Sequence, residues 1–205
     1  MKTLLFVLLG IAFVGSSAFL PNFPRSLLDD EDSIQIVQDF FTGAWSVVGL
    51  TPPPNLAASC LDENTAQGLV NAANQTLQYL VNDNILKALQ TATSFYQSIS
   101  PEIKACVNTN SSTVAFYTAL GIADLTIPQM SKRIITYTMA NLAEVRQEIT
   151  TTNDDFQAGK YVQVGADTGN FMKDVFQGGE ALLGASEDLN NFLNILEQLI
   201  EVAFI

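Results

Sequence analysis

From Ser33 onward, apolar side chains in this 205-residue chain return every three or four positions and nowhere alternate in a run long enough to demand a sheet. A period near 3.6 turns one face of a helix inward, whereas a half-buried strand needs a period of two. The stripe Ile34, Val37, Phe41, Ala44 and Val48 predicts a first helix with Asp32 or Ser33 as its cap, ended by Gly49 and the stiff run Pro52-Pro53-Pro54. Leu69, Leu77 and Leu80 predict a second helix over 64–81, and Ile85, Leu89, Ala92 and Tyr96 a third over 83–99, with Asn82-Asp83-Asn84 between them. Ser100-Pro101-Glu102 starts a short helical piece, and the polar stretch Asn108 to Ser112 reads as a loop. A helix over 114–125 follows, and then one that Pro128 starts, or kinks, through Ile149. Thr150-Thr151-Thr152-Asn153 reads as a break before a helix from Asp154 to about Phe176, and Ser186 caps a last amphipathic helix through Leu189, Phe192, Leu196 and Ile200. These elements predict an all-α fold, an antiparallel helical bundle of about six or seven helices.

The first 18 residues carry Lys2, an apolar run from Leu4 to Gly15 and the small residues Ser16-Ser17-Ala18, the layout of a cleavable secretory signal peptide. Phe19 then begins the mature chain. Residues 19–32, with Pro21, Pro24 and Asp29-Asp30-Glu31-Asp32, read as a flexible acidic leader, and 33–205 as a single helical domain. No later segment is apolar enough to span a bilayer, since Glu197 and Glu201 interrupt the hydrophobic C-terminal stretch. A secreted or lumenal location follows.

An oxidising compartment makes Cys60 and Cys106, the two cysteines of the chain, a predicted disulfide. The same route makes the sequons at Asn110 and Asn74 candidate glycan acceptors. Asn110 is the better candidate in its polar stretch, because Asn74 lies in a helical pattern and needs an outward-facing side chain. Net charge is −12, with 21 acidic and 9 basic residues. The basic residues are scattered, so nucleic acid and anionic membrane are excluded as partners, while Ca²⁺ or a cationic partner is electrostatically permitted.

Histidine is absent, which removes the usual general base and the usual zinc ligand, and with the cysteines bridged no thiolate remains. No catalytic residue, metal site or cofactor is predicted. Asp29 to Asp32 and Asp154-Asp155 lack EF-hand spacing, and Gly165-Ala166-Asp167-Thr168-Gly169 sits in a helical pattern unlike the Asp-Thr-Gly of an aspartic protease. Gly165 and Gly169, with Gly159 nearby, place small residues in the middle of a helical stripe through Val162, Met172 and Phe176. Each interior glycine costs about 1 kcal/mol against alanine, so close helix packing is the expected reason, and a ligand-cavity wall the alternative. Phe40, Phe41 and Trp45 on the first helix read as core, with an aromatic contact patch as the alternative.

Phe41-Thr42-Gly43, the two cysteines, and Phe156-Gln157-Ala158-Gly159 leading to Gly165 and Gly169 form a spaced pattern over residues 33–178. It resembles that of uncharacterised small secreted α-helical proteins of single-celled eukaryotes. The resemblance implies secretion, helices and the disulfide, and brings no known activity with it. The functional expectation is a non-enzymatic binding or interaction protein for a small apolar ligand or a protein partner. An acidic structural or stored secretory-cargo protein is the alternative, and a hydrolase using carboxylates alone comes third.

Overall fold

The computed structural model describes residues 33–178, except 85, 86, 89, 92, 93, 95–97, 99 and 126. The signal segment, the acidic leader, the stripe Ile85, Leu89, Ala92 and Tyr96, and the last amphipathic helix all lie outside the described residues. Within them the fold is all-α, with no strand. The helices are α1 (Ser33–Ser46), α2 (Leu56–Cys60), α3 (Glu63–Val81), α4 (Pro101–Thr109), α5 (Ser111–Leu120), α6 (Ile127–Ala140), α7 (Leu142–Gln157) and α8 (Tyr161–Lys173). Past α8 the chain widens into a π-helical turn, Asp174–Gly178.

Side chains at the ends explain where several helices begin. The Asp62 carboxylate accepts from Thr65 N at 2.7 Å to start α3, and Ser100 Oγ accepts from Ile103 N at 3.3 Å before Pro101 at the first position of α4. The triple-proline connection is held to α1 by Gln38, whose Nε2 donates to Pro53 O while its Oε1 accepts from Ala57 N, each at 3.0 Å. A buried amide satisfied on both sides stabilises a turn that prolines alone cannot bond.

Three expected boundaries are corrected. The polar stretch from Asn108 to Ser112 is no loop: α4 runs to Thr109, α5 begins at Ser111, and Asn110 alone separates them, its Oδ1 accepting from Ser112 N at 3.0 Å. A helix-to-helix corner with a capping side chain needs only one residue. Pro128 stands at the start of α6, but the helix ends at Ala140, and Asn141 separates it from α7, its Nδ2 donating to Tyr137 O at 2.9 Å. Thr150 to Asn153 lie inside α7, because Thr150 Oγ1 bonds back to Arg146 O at 3.0 Å and Asn153 is buried against Gln78. Weak helix formers are overridden there by the tertiary bond of Asn153 and its burial.

The break falls instead at residues 158–160. Gly159 has φ +70, and a Cβ placed on it would meet nothing within 4 Å. It therefore ends α7 in the left-handed conformation, where glycine carries no steric penalty, and takes no part in close packing. Lys160 locks the turn through Asp155 at 2.7 Å.

Around the core, Ser33 at the start of α1 meets Glu63 and Gln67 at the start of α3, so these helices run in the same direction. α8 lies along α1 in that direction too, Gly165 lying over Phe40 and Ala44 and Gly169 over Ala44 and Val47. α7 returns antiparallel to α3, with Gln157 bonded to Asn74 and Gln78 to Asn153. Phe41 and Trp45 are 1% exposed, and Trp45 stacks on Phe116 of α5 at 4.1 Å while its Nε1 donates to Ser112 O at 3.1 Å. These two aromatics are core, and Phe40 is half-buried at its edge.

Candidate functional site

Gly165 and Gly169 face the backbone of α1. An ideal Cβ on Gly165 would fall on the Phe40 carbonyl, and one on Gly169 would come within 2.9 Å of Ala44 O and 2.6 Å of a Val47 methyl. The contact is mutual, since a Cβ on Gly43 would fall on Val162 O and lie 2.7 Å from Ala166 N. Neither Gly165 nor Gly169 lines a described cavity. Gly43 was missed as their counterpart, although its place between Phe41 and Ala44 on the buried stripe was available as a signal.

This fusion decides what the far side of α8 presents. Successive residues advance about 100° around a helix, so Asp167, two positions from each glycine, points away from α1 and toward α7. Near the turn, α7 and α8 are joined by Phe156 and Tyr161, packed edge to face at 5.5 Å. Farther along, a cleft of about 330 Å³ opens between them, walled by Glu144, Gln147, Glu148 and Thr151 of α7 and by Asp167 and Asn170 of α8. Glu144, Glu148 and Thr151 share one face of α7 by their spacing of four and three. Glu148 and Asp167 also border a separate depression of about 30 Å³ among Leu77, Val145, Ile149 and Phe171, room for little more than a water.

The two carboxylates are half-buried. Asp167 Oδ1 accepts from Gln163 Nε2 at 2.7 Å, whereas Asp167 Oδ2 and Glu148 Oε2 are buried with no hydrogen-bond partner among the described residues. Burial raises the pKa of Glu148 to about 7, helped by the negative charges of Glu144, Asp174 and Asp167. Burial likewise raises Asp167, against the lowering effect of Gln163. Tyr137 of α6, packed edge to face on Phe171 at 5.9 Å, is pushed up to about 12 by burial and by the negative charges of Asp174, Glu148 and Glu144. The cleft is thus a place of negative potential with unmet acceptors, where a hydrogen-bond donor or cation gains most.

Among the described residues no group of three or more His, Cys, Asp or Glu is arranged to hold a metal ion. A second, apolar depression of about 40 Å³ lies among Ile36, Phe40, Leu69, Ala73 and Tyr161, room for little more than a water.

Of the residues marked in the sequence, Cys60 and Cys106 are joined, tying α2 to α4 with Cα atoms 5.5 Å apart. Asn110 caps α5 and Asn74 sits in the contact between α3 and α7, far apart in role and neither in the cleft. Sequence reasoning missed Glu148 and Asp167. The available signal was Glu144 and Glu148 four apart on one helical face, a like-charged pair that costs a few tenths of a kcal/mol. Among the described residues no helix is long and apolar enough to cross a membrane. Compared with known proteins, the chain matches no family model, no curated protein and no solved structure.

Proposed function

We propose that this chain is a secreted or lumenal, non-catalytic binding protein whose ligand site is the cleft between α7 and α8, and that the ligand is a small amphiphilic cation. The carrying observation is that Glu148 Oε2 and Asp167 Oδ2 are buried at the cleft without partners among the described residues. A buried acceptor left unpaired costs about 1 to 3 kcal/mol, which a bound ammonium group returns by donating to both. The volume of the cleft, about 330 Å³, admits a short hydrocarbon tail beside the ammonium group. Entry into the secretory route is supported by the pattern of residues 2–18 and by the Cys60–Cys106 bridge, which suits an oxidising compartment.

The test is a thermal-shift titration at pH 8 with hexylammonium, beside hexanoate as the oppositely charged control of equal length. Hexylammonium should raise the melting temperature saturably, as expected when a ligand binds only the folded state, and hexanoate should not. Glu148→Gln and Asp167→Asn should each remove the response. Equal effects of both probes, or a response that survives in both variants, would move the site elsewhere.

A further inference from the structure

Two sequons occur in the described region, and the structure gives their asparagines different work. At Asn110 the chain is extended, φ −60 and ψ 129, at the single residue between α4 and α5. Its Oδ1 faces the start of α5 and accepts from Ser112 N at 3.0 Å. Because the carboxamide is planar, this bond turns Nδ2 to the opposite side, away from the helix end. Ser111, Val114 and Ala115 beside it are exposed. The cap uses only the oxygen, so substitution on the nitrogen leaves it whole.

Asn74 stands in the middle of α3. Its Oδ1 accepts from Gln157 Nε2 at 2.9 Å, and one turn along Gln78 Nε2 donates to Asn153 Oδ1 at 2.7 Å. These paired amides form a seam between α3 and α7, and the sequon hydroxyl of Thr76 is fully buried behind it. Asn74 too is bonded through its oxygen alone, but its carboxamide lies within a helix-to-helix contact rather than at a corner between helices, so a sugar on its nitrogen crowds the seam.

We propose that Asn110 carries an N-linked glycan in the secreted protein and that Asn74 stays bare. The proposal rests on the secretory reading above but not on the cleft. The co-reactant is a lipid-pyrophosphate-linked oligosaccharide. Asn110 Nδ2 bonds to the anomeric carbon, the bond from that carbon to the pyrophosphate oxygen breaks, the lipid pyrophosphate leaves with the electron pair, and the amide loses one proton. Transfer precedes folding, so the seam acts by selection: chains modified at Asn74 fail to close α3 on α7 and do not reach the medium.

The full chain is expressed in eukaryotic cells in two forms, one with its own N-terminus and one with residues 1–18 replaced by an established signal peptide. Intact mass before and after an N-glycan-releasing amidase, with peptide mapping, counts and places the sugars. Ser112→Ala removes the first sequon yet keeps the backbone N–H of the cap, Asn110→Asp keeps the capping oxygen, and Thr76→Val removes the second sequon. One glycan per chain is expected, lost in Ser112→Ala and Asn110→Asp and retained in Thr76→Val. Secreted protein bare at Asn110, or sugar on Asn74, overturns the proposal. If only the form with the replaced signal is secreted and it carries sugar at Asn110 alone, the proposal stands and the reading of residues 1–18 falls.

Discussion

Gly43 and Gly165 each occupy a point where an added Cβ would meet the other helix's carbonyl, so neither backbone can give way without the helices separating. Gly43→Ala and Gly165→Ala should each cost about 2 to 3 kcal/mol by overpacking, net of the roughly 1 kcal/mol of helix propensity gained. Gly169→Ala should cost less, because the backbone it would meet is farther away, Ala44 O at 2.9 Å, beside a Val47 methyl at 2.6 Å. Gly159→Ala should cost about 1 to 2 kcal/mol through its left-handed backbone alone. Thermal melts rank the four, and a wild-type melting temperature for Gly43→Ala would show that the crossing is looser than described. Glu148 makes a prediction of the opposite sign. Unfolded, its carboxyl titrates near 4.5, and folded near 7, with Glu144, Asp174, Asp167 and the Tyr137 hydroxyl around it. Below pH 4.5 both states hold the proton and the group has no effect. Between these values the folded state alone keeps it, so stability falls as pH rises, and above pH 7 the deficit is constant. Since the group is half-buried, solvent screening leaves about 1 kcal/mol of that deficit. Glu148→Gln should therefore raise the melting temperature by about 2 to 4 °C at pH 8 and leave it unchanged at pH 4. A gain of equal size at both pH values would mean that charge is not its cause.

At the scale of elements, the short helices α2 and α4 are the ones that need outside help, with 5 and 9 residues respectively. Helices of that length are marginal alone, and the Cys60–Cys106 bridge closes a segment of sequence separation 46 between them. Loop-closure entropy puts its contribution at about 4 kcal/mol, so reduction, or the double change to alanine, should lower the melting temperature by about 8 to 16 °C. A shift under 2 °C would show that packing alone holds α2 and α4. The pairing was legible because only two cysteines were present, and the fold class because every stripe had helical period. Helix ends were legible where a side chain caps locally, as Ser100 does. They were not where a distant partner decides: Asn153 stays helical because Gln78 waits on α3, and nothing within residues 150–153 announces it. The cleft was hidden for the same reason, since Glu148 and Asp167 are 19 positions apart and meet only once α8 is fixed against α1.

For the whole molecule, the net charge of −12 bears on the choice between a binding module and condensing cargo. Cargo that gathers around Ca²⁺ needs carboxylates grouped so that one ion neutralises several, ideally from two chains at once. Among the described residues no three of them are arranged to hold one ion. Glu144, Glu148 and Asp167 do share a cleft, but they are not arranged as a metal site, and protonation of Glu148 below its raised pKa of about 7 weakens the cleft's pull on any cation. Uniform negative charge keeps copies apart through mutual repulsion, an effect that salt screens over about 8 Å at physiological ionic strength. Static light scattering of the purified protein should accordingly give the same apparent mass with and without about 5 mM Ca²⁺, above the roughly 0.1 to 1 mM range of weak extracellular sites. Matched ionic strength from NaCl separates specific bridging from plain screening. A reversible rise in mass with Ca²⁺, absent in the NaCl control and undone by chelation, would favour the cargo reading and displace the binding one.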